Sequence, residues 1–123
     1  MSDSLMQEFI AESRDHLATI EADLLAIEDA GDQLDDDLIN KVFRAAHSIK
    51  GGSGFFGLVN IKELSHKAET VLDMVRSRKI IPNPEVINIL LQSFDMLRDM
   101  INNVDESETC DISDQVVALN GLT

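Results

Sequence analysis

A chain of 123 residues is the length of a single domain, and 23 Asp and Glu against 10 Lys and Arg give it a formal charge of −13. That charge repels a phosphate backbone and an anionic lipid surface alike, which argues against nucleic acid and membrane as partners. The single cysteine, Cys110, forms no internal disulfide, no apolar run approaches the roughly 20 residues that span a bilayer, and the N-terminus lacks the regions of a signal peptide, so a soluble cytoplasmic protein is expected.

Along the chain, Ser4 and Gln7 have the spacing of a capping box, and Phe9, Ile10, Leu17, Ile20, Leu24 and Ile27 follow at helical spacing. One helix over about residues 4–29 is predicted. After the Ala30-Gly31-Asp32 break, Asp35 to Asp37 form an acidic cap for a second helix running toward Gly54 or Phe56, with glycines that weaken its C-terminal end. Asn60 and Glu63 are read as the cap pair of a third helix, whose stripe is Ile61, Leu64, Ala68, Val71 and Val75; Arg76, Arg78 and Lys79 sit at its negative end. Asn83-Pro84 opens a fourth, with Val86, Ile87, Leu90, Phe94, Leu97 and Ile101 in line and proline at the first helical position. Asp105 to Asp111 reads as a polar linker, and Ile112, Val116, Leu119 and Leu122 as a short fifth helix capped by Ser113.

The expectation is an all-α fold, an antiparallel up-down four-helix bundle over residues 1–104 and roughly 30 Å long. Residues 105–123 are assigned to the linker and the short fifth C-terminal helix, leading toward further domains of a longer protein. No internal repeat and no low-complexity tract interrupts this plan.

The second helix carries the most informative run, Ala46-His47-Ser48-Ile49-Lys50-Gly51-Gly52-Ser53-Gly54. At about 100° per residue, Leu38, Val42, Ala46, Ile49 and Phe56 cluster on the core side and His47 points almost the opposite way. Asn40, Arg44 and Gly51 share its face, flanked by Lys50 and Gly54. An imidazole there accepts a phosphoryl group if one ring nitrogen keeps its lone pair while an acceptor holds the other as N–H. On the third helix, His66 and Glu69 both lie away from the apolar stripe, Glu69 towards its edge, and Glu69 is placed to reach His47 if the two helices run antiparallel; it would fix the tautomer and favour the positive charge that develops during attack. Lys50, one turn from His47, is placed to neutralise phosphate oxygens.

Three glycines within four residues exceed what a helix stop requires, so Gly51 and Gly54 are assigned to clearance for a partner, with helix termination as the plainer alternative. Arg44 either balances nearby acids or meets a docking partner. His66 either supports the site or is passive surface. The pair Glu63 and His66 has the Glu-x-x-His spacing of carboxylate-bridged metal sites, but one outward-facing pair is too few ligands, and no metal is expected. Nor is a hydrolytic triad or a glycine-rich phosphate loop after a strand present, so the chain is not expected to bind ATP itself.

His47-Ser48-Ile49-Lys50-Gly51-Gly52, with His66 and Glu69 a helix later, closely resembles the histidine-phosphotransfer (HPt) domain family, in particular the N-terminal phosphotransfer domains of chemotaxis histidine kinases. Phe9-Ile10-Ala11-Glu12-Ser13 and Asp23-Leu24-Leu25 resemble the first helix of those domains, and the likeness runs over about residues 5–103. The resemblance implies that His47 is the phosphoacceptor, that Glu69 bonds the opposite ring nitrogen, and that Lys50 and His66 complete the hydrogen-bonded set. It implies two partners: the ATP-binding kinase domain of the same protein, acting in trans, and receiver domains of response regulators such as those of chemotaxis. ATP and magnesium would come from partner domains, with no cofactor in this one. The isolated domain is expected to be a monomer, its acidic surface suited to a basic partner pocket. The alternatives are a module of another phosphorelay or motility kinase and, in a different class, a structural adaptor bundle with His47 incidental.

Overall fold

A computed structural model describes residues 2–123, and of Ser2 and Asp3 the backbone alone. The described residues form six α-helices: α1 (Ser2–Leu17), α2 (Ile20–Ala30), α3 (Asp36–Phe55), α4 (Val59–Arg76), α5 (Pro84–Asn102) and α6 (Ser113–Gly121), with a 3-10 helix at Val104–Thr109. Among the described residues no helix is long and apolar enough to cross a membrane.

The single first helix expected over residues 4–29 is two helices, parted at Ala18 and Thr19. Its apolar phase nevertheless continues through the break, since Phe9, Leu17, Ile20, Leu24 and Ile27 are all buried. Groups outside the helix hold the break. Arg98 Nη2 on α5 donates to the freed Leu17 carbonyl at 3.2 Å, and Lys41 Nζ on α3 donates to Thr19 Oγ1 at 2.9 Å while pairing with Asp23 at 3.1 Å. Ser4, expected as a cap, lies inside α1.

Asp35 and Asn83 do cap their helices. Asp35 Oδ1 accepts from the Asp37 and Leu38 amides, and Asn83 Oδ1 accepts from the Val86 amide at 3.0 Å with Pro84 next in line. The pair Asn60 and Glu63 does not cap α4. The Asn60 side chain instead donates to the Ser107 and Cys110 carbonyls, both at 2.9 Å, and Glu108 Oε1 accepts from the Val59 amide at 2.5 Å. A carboxylate 49 positions away thus meets the positive end of α4. For that reason the stretch expected as a polar linker is a 3-10 helix packed on α4 and α5, with Ser107 buried. Ser113 is likewise inside α6 rather than before it; its amide and hydroxyl both donate to Asp111 Oδ1. Ile112 and Leu119 are buried and Gln115 Nε2 reaches Ile89 O and Ser93 Oγ on α5, which docks α6.

The antiparallel pairing of α3 with α4 positions everything that follows. Asp36 meets Arg78, Asn40 meets Arg76, His47 meets Glu69, and Gly54 lies beside Lys62, so numbers rise on one helix as they fall on the other. Two left-handed residues end these helices. Gly57, at φ 69°, follows α3; the Leu58 amide bonds Ser53 O and the Gly57 amide bonds Gly54 O, the double bond pattern of a Schellman stop. After α4 the same pattern is closed by Arg78 at φ 62°, a non-glycine residue whose guanidinium bonds Asp36 Oδ1 at 2.8 Å and Arg76 O at 2.8 Å.

Gly52 has a packing role that its neighbour lacks. A Cβ there would lie 2.5 Å from Cδ1 of Phe9, whereas nothing lies within 4 Å of one at Gly51. Both residues are inside α3, so exchange for alanine gains the same helix propensity at each. Gly51→Ala is expected to raise stability by about 0.5–1 kcal/mol, and Gly52→Ala to fall about 1–3 kcal/mol below it by overpacking against the Phe9 ring. Urea unfolding of the two variants checks this.

Candidate functional site

On α3, Asn40, Phe43, His47, Lys50 and Gly54 recur at three- and four-residue intervals, forming one stripe, and on α4 Lys62, His66, Glu69, Asp73 and Arg76 form the stripe beside it. The seam between them is polar except for Phe43. Glu69 stands at its middle, its side chain only 11% exposed. His47 Nδ1 lies 2.5 Å from Glu69 Oε2, and Lys50 Nζ donates to Oε1 at 2.7 Å. Each carboxylate oxygen therefore has one charged or chargeable partner.

Burial by itself disfavours the charged carboxylate, but the hydrogen bonds from Lys50 and His47, with the charges behind them, outweigh it and hold Glu69 below the ordinary value of 4.5. An ionised carboxylate only accepts, so His47 Nδ1 carries the proton, and in the neutral ring the lone pair is on Nε2. The His47 side chain is 62% exposed. The result is an imidazole gripped at one nitrogen and open to solvent for most of its surface.

The structure brings together three of the residues singled out in the sequence, His47, Glu69 and Lys50. Lys50, expected to face phosphate oxygens, is tied to Glu69 and a quarter exposed. His66 is exposed, and among the described residues its imidazole makes no hydrogen bond to this group; Thr70 Oγ1 donates to its backbone carbonyl. Arg44, Gly51 and Gly54 are exposed on α3. Space around a Cβ at Gly51 is empty, and at Gly54 the nearest atom is Lys62 Cδ at 3.6 Å.

Two further residues join the site. The Phe43 ring lies nearly parallel to the His47 imidazole, 13° apart with centroids at 6.2 Å, and the Arg76 guanidinium sits over Phe43 with Cζ 3.9 Å from the ring centroid. Arg76 is itself held by Asn40 Oδ1 at 3.2 Å and Asp73 Oδ1 at 2.6 Å. The spacing of Phe43 and His47, one helical turn, was the available signal; the α4 contribution needed the register. Charge is also distributed differently from its total. Residues 41–79 hold eight of the ten Lys and Arg and three of the 23 acids, a local +5, leaving −18 on the rest. The two helices that carry the site, α3 and α4, hold six Lys and Arg and five acids between them and are nearly neutral in an acidic chain.

A family model described as Hpt domain matches residues 4–107. The chain belongs to the Hpt domain family. It is 41% identical over 117 residues to the chemotaxis protein CheA of Rhizobium meliloti, an alignment covering 90% of this chain and 15% of that protein. The chain therefore spans about a sixth of the length of such relatives. The histidine phosphotransfer domain of CheA solved in solution superposes with a TM-score of 0.81 at 26% identity, covering 98% of this chain and 92% of the other. The phosphorylated P1 domain of CheA3, in complex with CheY6 from R. sphaeroides, has the same fold, with a TM-score of 0.81 at 23% identity over 97% of this chain and 94% of that one. The Hpt domain described here is thus an all-helical bundle like the P1 domain of CheA.

The depressed Glu69 fixes the sign of one pH effect. In the unfolded chain the carboxyl titrates near 4.5, and in the folded domain lower, so the unfolded state binds more protons between those values. The stability contributed by Glu69 is complete above 4.5 and is lost as pH falls through its lower folded value. Urea unfolding at steps from pH 6 to pH 3 is expected to show a steeper loss for the unaltered domain than for Glu69→Gln, which has no such titration.

Proposed function

We propose that this domain is a phosphoryl relay in which His47 is the acceptor, in a parent protein of the chemotaxis-kinase type. The observation that carries the reading is the exposed imidazole whose Nδ1 is held by Glu69, which leaves Nε2 as the ring nitrogen free to react. Nε2 attacks phosphorus, the Nε2–P bond forms, and the P–O bond to the leaving diphosphate breaks, its electron pair departing with that oxygen. Nδ1 keeps its proton and its bond to Glu69, which stabilises the positive ring as it forms. Lys50 holds Glu69 ionised while this occurs. Transfer onward reverses the chemistry: a carboxylate of the next protein attacks phosphorus and the Nε2–P bond breaks, returning the pair to the ring.

Phosphoryl transfer depends on positioning and charge neutralisation more than on covalent chemistry by the protein, so one rigid histidine suffices on this side. The donor is ATP held with magnesium by a kinase domain of the same parent acting in trans, and the acceptor is an aspartate on a receiver domain. The complex of the P1 domain of CheA3 with CheY6 supports the choice of receiver, as do the CheA relatives for the donor. The locally basic stretch 41–79 suits approach of an anionic phosphoryl group, in a protein that works in the cytoplasm as a monomeric module.

His66 has a supporting role here only once a partner or the phosphoryl group is present; Arg44, exposed one turn before His47, is the docking cation. Gly51 and Gly54 leave the rim of the histidine low, so that a partner's active site passes over it.

Labelling with ATP and a chemotaxis kinase core is expected to give an acid-labile, base-stable phosphate that His47→Gln abolishes, while circular dichroism and unfolding remain within about 0.5 kcal/mol of the unaltered domain. Phosphate retained on His47→Gln, or found on His16 or His66, overturns the assignment. Gly54→Leu is expected to keep the helical circular dichroism, since leucine favours the helix more than glycine, yet to slow both uptake and onward transfer. Normal rates with both partners would return Gly54 to a local role in the helix.

A further inference from the structure

Glu69 restrains the His47 ring at a single point. A ring held by one hydrogen bond still swings about that bond, and each swing turns the Nε2 lone pair away from the direction in which phosphorus must approach. The second restraint is Phe43. It is the one large apolar side chain in the polar stripe of α3, and it stands a turn before His47 with its ring 13° from the imidazole plane. The 6.2 Å separation of centroids lies within the range of offset aromatic pairs. A half-buried phenylalanine needed only to fill space has no reason to be aligned with a neighbouring exposed ring.

Phe43 is itself restrained from α4. The Arg76 guanidinium lies over its face, and Arg76 is tied to Asn40 on α3 and Asp73 on α4. We infer that Phe43, clamped by Arg76, is a positioning residue that sets the plane of the His47 imidazole. The inference rests on His47 being the phosphoacceptor. It gives the two helices two separate tasks at one ring: Glu69 selects which nitrogen is protonated, and Phe43 with Arg76 selects where the other one points. Neither Phe43 nor Arg76 needs to touch the phosphoryl group for this.

Phosphoramidate tests the inference without any docking partner. His47 Nε2 attacks its phosphorus, the Nε2–P bond forms, and the P–N bond breaks with its electron pair leaving on ammonia. Phe43→Leu keeps apolar volume and removes the flat face, and is expected to slow this uptake roughly tenfold. The order parameter of the His47 ring carbons, from 13C relaxation, should fall while the backbone amides of α3 keep theirs. Phe43→Tyr restores the ring face and should recover both rate and order. Arg76→Gln, at a partly exposed side chain, should give the same change in smaller degree, and it decides the matter if Phe43→Leu does not fold. A folded variant of either kind with unchanged uptake, or with unchanged ring order, overturns the inference. Failure of the acceptor assignment itself would look different: phosphoramidate would label His47→Gln as it labels the unaltered domain.

Discussion

Everything at the site depends on one carboxylate. Glu69 is almost buried between α3 and α4, and an ion in that position is tolerated only when it is paired and hydrogen-bonded. Lys50 satisfies one oxygen and His47 the other, and among the described residues no buried side-chain nitrogen or oxygen lacks a partner. Because both donors come from α3 and the acceptor from α4, the pairing works in one register of the two helices. The Asp36 to Arg78 and Asn40 to Arg76 bonds fix that register from one end and the Gly57 stop of α3 from the other. The chemistry of His47 is therefore a property of the helix pair, not of the helix that carries it.

The same geometry separates holding from reacting. Lys50 and Glu69 satisfy each other whether or not the imidazole is modified, so adding a phosphoryl group at Nε2 leaves the buried ion pair intact. The exposed side of the ring has little around it: Gly51 has open space above it, and Gly54 meets only the flexible stem of Lys62. Gly52, the neighbour of Gly51, has no such space, because Phe9 packs against it from inside the bundle. Adjacent glycines in one run thus have opposite surroundings, one open and one packed.

Much of this was legible in the residues. The stripes of α4 and α5 are buried as their spacing requires, Asp35 and Asn83 cap as their side chains allow, and the phases of His47 and Glu69 let the two groups meet once their helices pair antiparallel, as they do. What the sequence hid came from contacts distant along the chain. The α1 and α2 break is held by Arg98 and Lys41, and α4 is capped by Glu108 while Asn60 turns to the carbonyls of the 3-10 helix. Local pattern cannot reveal a cap supplied from 49 positions away. Phe43 was hidden for a related reason: on α3 alone it is an apolar intruder, and it becomes part of the site only when Arg76 is laid over it. Charge is uneven along the chain as well, since the total of −13 includes a basic segment at residues 41–79.

The most direct test of the account is to identify the nitrogen that carries phosphorus. Uniformly 15N-labelled domain, phosphorylated and held at basic pH, gives the answer through the 15N–31P coupling of the His47 ring. The account predicts the coupling at Nε2, with Nδ1 still protonated against Glu69. Coupling at Nδ1, or at a histidine other than His47, would contradict it.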